Sequence, residues 1–373
     1  TITAQDSSNV KQGVTLGTAT NDFGNEVRIT GAAVTIVDED TLVLGASTVG
    51  GNFSATATNG NITQTGALAI TGTTTLVTSE NNATITLETS TNKFGDTGVG
   101  NVDLSTQGTS GHVSLVQGDN QGYLTFDTSE VRGNLTVKTG TGGRVTQAGI
   151  LTVDGTTDIN ADDQGQNIYL HTSENVLTRA VSMKSHWAKI QNSKELELGT
   201  IDAKGLAVTA RGPVTQSGIV EAPNSSSTIT AQNVAGDTKY DVTLENTLND
   251  LKTLVVVAAD NVSVKDKNAI ELGASTVSGN YALTAGDAVT NSGDLDIEGT
   301  TTISASGSDI TLGSTGNDFT GAVSVVGANV QLVDANAIVL ETSNVSGTYS
   351  VTATNGNITD AAGALTVTGT TTL

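Results

Sequence analysis

Cysteine is absent from the 373 residues, which removes disulfides and thiolate metal sites together and leaves stability to burial and backbone pairing. Proline occurs twice, methionine and tryptophan once each, and aromatics make up 3% of the chain. A core built without large rings must therefore come from small and β-branched side chains. Basic residues are scarce as well, 16 Lys and Arg against 38 Asp and Glu, a net charge of −22. Such a surface repels nucleic acid and anionic lipid, so neither is an expected partner. No run approaches eighteen apolar residues, and the opening TITAQDSSNV has neither a basic start nor an apolar centre, so no membrane insertion and no signal peptide is expected in this segment. Without an initial Met, and stopping at Leu373 inside a repeat, the chain reads as a piece of something longer, with its targeting information elsewhere.

What the chain does contain is Gly, 43 residues of it, and tandem similarity. GNFSATATNGNITQTGALAITGTTTL at Gly51 returns as GTYSVTATNGNITDAAGALTVTGTTTL at Gly347, with weaker versions opening at Gly133, Gly205 and Gly279. A second marker runs in the same phase: Asn21-Asp22-Phe23, Asn92-Lys93-Phe94, Asn175-Val176-Leu177, Asn249-Asp250-Leu251 and Asn317-Asp318-Phe319. These divide the chain into units 1–76, 77–159, 160–229, 230–303 and 304–373. Self-similarity at this period is the signature of a repeat architecture.

Within a unit, apolar and polar residues alternate over short runs such as Val34-Thr35-Ile36-Val37 and Leu365-Thr366-Val367, punctuated by Gly, Asn and Asp. That is strand periodicity with turn chemistry, and no helical period competes with it. An array of Ig-like sandwiches would require larger aromatic or Leu-rich faces than these units supply. The expectation is an all-β, right-handed parallel β-helix (β-solenoid), one continuous solenoid over 1–373, built from five tandem units of several turns each. A turn of roughly 20 to 25 residues gives about three per unit, and at about 4.8 Å each a stack of roughly 70 to 90 Å. Recurring Asn and Thr, such as Asn61 and Asn357, are candidates for ladders of like side chains. Phe53, Tyr281 and Tyr349 share one position, held by Leu135 and Leu206 elsewhere, and read as a repeated core contact.

The GNxxxTAxxGxITQxGxLxxxGTTTL texture resembles the repeats of filamentous-haemagglutinin-like exoproteins, the β-helical adhesins of two-partner secretion, and related bacterial surface proteins. The resemblance implies a β-helical shaft at the bacterial cell surface or outside the cell, with roles in adhesion, aggregation, biofilm matrix or extracellular fibre assembly. Its partners would be further repeats of the same chain or identical chains, packed end to end or laterally, because exposed backbone at the end of a stack recruits other chains.

Catalysis has little support. Polysaccharide-degrading enzymes on a β-helix need carboxylates grouped with Arg, Lys or His, and no hydrolytic pair can be named. The chain is therefore read as a non-enzyme without a required cofactor. Calcium is the one ion considered, on Asp38, Asp40, Asp162 and Asp163, where hard oxygen ligands concentrate in turns, although no EF-hand or nonapeptide spacing is present.

The third unit departs from the rest. It holds the only Trp and Met, both Pro and two of the three His, and its 6 basic and 7 acidic residues leave it near neutral. Within Ala180 to Glu197, an amphipathic stretch or lateral insertion is expected to present Lys184, His186, Trp187 and Lys189, an indole beside cations suited to a glycan or a protein surface. A glycan-binding module centred here is the alternative function.

Overall fold

The structure, a computed structural model, describes residues 1–95, 101–118, 122–161 and 165–373. No described residue is helical. The chain divides into two compact units, Thr1–Ser193 and Lys194–Leu373, and each is a parallel β-solenoid, about 17 turns in all.

The strands are short, most of three to six residues, because Gly, Asn and Asp interrupt every run. Their burial follows the two-residue period. In Val34–Asp38, Val34, Ile36 and Asp38 point in while Thr35 and Val37 are half-exposed. Most strands lie in parallel register on the third strand after them, and on the second where two segments run together or one segment forms no strand. In the first unit, Val34–Asp38 pairs with Phe53–Ala57, which pairs with Thr74–Asn81, which pairs with Val102–Gln107. In the second, Val262–Asp266 pairs with Tyr281–Ala285, then Thr301–Ser304, then Val323–Gly327. Three strand segments thus make one turn.

The interior is the thin apolar column that the composition allows. Ile36, Leu42, Leu44, Ile62, Leu68 and Leu76 are wholly buried, and the largest buried rings are Phe53, Phe94, Phe126, Phe319, Tyr281 and Tyr349. Burying each Leu or Ile contributes roughly 1.5–3 kcal/mol, so close stacking of many medium side chains replaces a few large ones.

A sequence repeat does not occupy a whole number of turns. From Val14–Leu16 to the homologous Ile85–Leu87 the chain passes through ten segments, the strandless Asn21-Asp22-Phe23 among them. At three segments per turn, each repeat covers three and a third turns. Homologous residues therefore fall on neighbouring faces. Phe53 stacks between Val34 and Thr74, whereas its counterpart Leu135 stacks between Val113 and Thr157 on the next face. Tyr281 and Tyr349 are displaced in the same way, one between Val262 and Thr301, the other between Val330 and Thr371.

The ladders of polar side chains are real, but their members are residues one turn apart. Asn52 Oδ1 accepts from the Thr73 backbone N–H at 3.0 Å, Asn61 Oδ1 from Thr84 at 2.7 Å, and Asn134 Oδ1 from Thr156 at 3.0 Å. In the second unit the chain of contacts runs from Asp241 to Asn261, Asn280 and Thr300. Each satisfies a backbone donor at a corner where the sheet ladder breaks.

Candidate functional site

The recurrent polar residues would be the natural ligands of a repeated site. The second sequence marker is a buried amide clamp. Asn92, Asn175, Asn249 and Asn317 are fully buried, and each accepts, through Oδ1, the backbone N–H of Leu68, Leu151, Val220 or Leu295 at 2.9–3.0 Å. Three of them also close a reciprocal pair with a Gln of the preceding repeat. Gln64 donates to Asn92 at 2.9 Å and accepts from it at 2.8 Å, and Gln147 with Asn175 and Gln216 with Asn249 repeat the arrangement. At Asn317 the partner is Asn291, one methylene shorter. It donates at 2.9 Å, but its own Oδ1 is buried without a partner.

Two residues beyond each marker Asn, a backbone N–H points into the interior and is met by a buried side chain. Asp38 accepts from Phe23, Gln117 from Phe94 at 2.9 Å, Asn192 from Leu177 at 2.9 Å, Asp266 from Leu251 at 2.6 Å and Asp334 from Phe319 at 2.8 Å. Burial raises the carboxyls of Asp266 and Asp334 above the ordinary range for aspartate, the two backbone N–H donors at each working against that. Buried serines do similar work one corner on: Ser47, Ser129, Ser275 and Ser343 accept from Ile29, Leu104, Val256 and Val325 at 3.0–3.1 Å. In the divergent third repeat the equivalent position is Ile201.

The calcium candidates separate accordingly. Asp38 is 1% exposed, and its Oδ1 is engaged by the Phe23 and Asp40 backbone N–H groups. Asp40 is exposed and lines a shallow depression with Asp22, Asn25 and Asn59. Asp162 and Asp163 lie outside the described residues. Among the described residues no three His, Asp or Glu side chains are grouped as a metal would need.

The third-repeat residues are neither helical nor part of a lateral insertion. Val181–Lys184 and Trp187–Asn192 are ordinary strands of the stack, the first on Thr157–Asn160 and the second on Ile168–Leu170. Alternation decides this: Val181, Met183, Ala188 and Ile190 fill the column at a two-residue period that a helix would scatter. Lys184 lies over Asn160, His186 is exposed at the following corner, and Trp187 and Lys189 belong to a different face.

That face holds residues invisible to a linear reading. Leu124, Val145, Ile168 and Ala188 stack on four successive turns, so the residues just before them form one outer column: Tyr123, Arg144, Asn167 and Trp187. The residues just after form another: Thr125, Thr146, Tyr169 and Lys189. Tyr123 is 41% exposed. The Arg144 guanidinium lies 5.3 Å from the Tyr123 ring centre and 4.4 Å from that of Tyr169, and Asn167 Nδ2 donates to the Tyr169 hydroxyl at 2.9 Å. Arg144 Nε and Asn167 Oδ1 are buried without partners. The only sequence signal was composition, the surplus of aromatics and cations around Trp187.

A family described as "Repeats of unknown function (DUF5649)" matches at residues 31–109, 110–184, 186–258, 259–326 and 327–373. The chain belongs to this repeat family. The DUF5649 periods are five, as the internal similarity gives, but are cut at another phase. None of the curated proteins and none of the solved structures matches the chain. Among the described residues no helix is long and apolar enough to cross a membrane.

Proposed function

We propose that these DUF5649 repeats form a structural shaft, an acidic segment of a larger secreted or cell-surface protein of the filamentous-haemagglutinin-like kind, serving adhesion, aggregation, biofilm matrix or fibre assembly and not catalysis. One observation carries the reading. The side chains that recur from repeat to repeat are spent on holding the turns together: the marker Asn on its clamp, the Asp, Gln or Asn at the acceptor position on a backbone N–H, and the Ser at the corner. A repeated catalytic or ligand site would instead leave its recurrent polar groups turned toward solvent.

A shaft of about 17 stacked turns would measure roughly 80 Å at the interstrand spacing. Electron micrographs of the purified chain are expected to show thin rods of that length, or longer fibres in which copies stack end to end. Compact particles of two separately tumbling bodies would overturn the shaft. Display on the surface of a cell lacking other adhesins, scored by aggregation, tests the adhesive part.

A further inference from the structure

The outer strip over Leu124, Val145, Ile168 and Ala188 gathers large side chains at positions that other corners fill with small or short polar ones. At several corners the position before a strand carries Asn, which hands a hydrogen bond to the next turn, and at others a small residue such as Ala33, Ala180 or Ala288. Here it carries Tyr123, Arg144, Asn167 and Trp187. The substitution has a cost, because Arg144 Nε and Asn167 Oδ1 sit buried and unpaired, and each such group forfeits roughly 1–3 kcal/mol. Large aromatic and cationic side chains gathered at such a cost, without local gain, are the expected mark of a site.

We infer that this strip binds an acidic polysaccharide, a chain of pyranose rings bearing carboxylates. Three of the chain's 11 aromatic residues, Tyr123, Tyr169 and Trp187, stand on the first, third and fourth of four successive turns of one face, and flat rings are what the apolar face of a pyranose packs on. Charge selects the acidic class. The strip holds Arg144 and Lys189 and no carboxylate, on a chain with 38 acids to 16 bases. Arg144, whose guanidinium contacts two tyrosine rings, is suited to meet a carboxylate through its remaining N–H donors. Arg144 and Lys189 lie two turns apart, roughly 10 Å, so the strip suits a polymer with a carboxylate on every ring or every second ring. A nucleic-acid strand, with a phosphate about every 3.4 Å, brings far more charge than two cations offset against a net −22. Salt screens charges lying more than about 8 Å away, so acids remote from the strip oppose a local contact weakly, while Asp127, two residues beyond Thr125 and just past the end of the same strand, bounds the strip on one side. This inference stands apart from the shaft reading, and a shaft without the strip remains a shaft.

Trp187 is the only tryptophan, so its fluorescence reports on the strip in the unaltered chain. Titration with polygalacturonate and with hyaluronate at physiological salt is expected to give a saturable change in emission. Neutral dextran and single-stranded DNA are expected to give none. Binding should weaken about tenfold in Arg144→Gln and in Tyr169→Ala, and remain unchanged in Tyr240→Ala. Should Arg144→Gln fail to fold, Tyr123→Ala, which removes an exposed ring, supplies the same comparison. An unchanged emission with both uronate polymers, an equal response to dextran, or strip variants that bind as the parent does would each overturn the inference.

Discussion

Single residues in this chain are chosen for what they accept. A triangular turn has three corners, and at each the backbone N–H of the next segment leaves the ladder and needs a partner. Asn is long enough to take one N–H on its oxygen while its amide nitrogen reaches a carbonyl, as Asn249 does with Leu244 and Lys265. Gln adds the reach that closes the clamp, and the exception shows it. Asn291 stands where the first three repeats have Gln, and its Oδ1 is left buried and unpaired. Asn291→Gln should therefore stabilise the chain by about 1 kcal/mol, read as a higher urea midpoint with an unchanged slope. A lower midpoint would show that the corner has no room for the extra methylene. None of this was legible from the sequence beyond the fact of recurrence. The marker Asn was visible five times over, but its partner is a Gln some 28 residues away, and nothing local links the two.

At the scale of the strand and its corner, close approach of successive turns sets the terms. After each clamp residue the chain bends sharply at a Gly. A Cβ built on Gly149 would fall 2.2 Å from the Thr128 backbone nitrogen, and the Gly149 carbonyl accepts from Gln147 at 2.8 Å. Backbone cannot retreat as a flexible side chain would, so Gly149→Ala should cost about 3 kcal/mol and lower the melting temperature measurably by circular dichroism. A variant that melts with the parent would mean the turns can spread. Element type was the most readable feature, since alternation and punctuation gave strands directly. Which strand touches which was not, because each repeat holds ten segments and a turn consumes three. Stacking neighbours are consequently never sequence homologues. The same mismatch hid the aromatic strip, whose members come from two repeats and sit about twenty residues apart. Trp187 and Lys189 were picked out with Lys184 and His186 because they are close in sequence, yet the stack places Lys184 on a different face.

For the molecule as a whole, charge is the controlling quantity. Burial raises the carboxyls of Asp103, Asp158, Asp266 and Asp334 in the folded chain. A raised folded-state value means that the folded chain holds more protons than the unfolded one between the two values, so stability rises as pH falls through that window. Partial neutralisation of a net −22 acts in the same direction by relieving self-repulsion. The chain should accordingly melt at a higher temperature near about pH 5 than near about pH 8, and Asp266→Asn together with Asp334→Asn should flatten that difference. A melting temperature that falls steadily on acidification would contradict the assignment of these carboxyls as desolvated. At this scale the composition had already indicated the answer, because so few bases cannot offset so many acids.

The ten-segment repeat also has a bearing on how such a chain lengthens. Adding or losing one period advances everything copied with it by a third of a turn, so a surface feature duplicated once points in a new direction, and only the third copy returns to the first bearing. Gene-level duplication thus works like a cam. It distributes an inherited patch around the axis without any change of sequence.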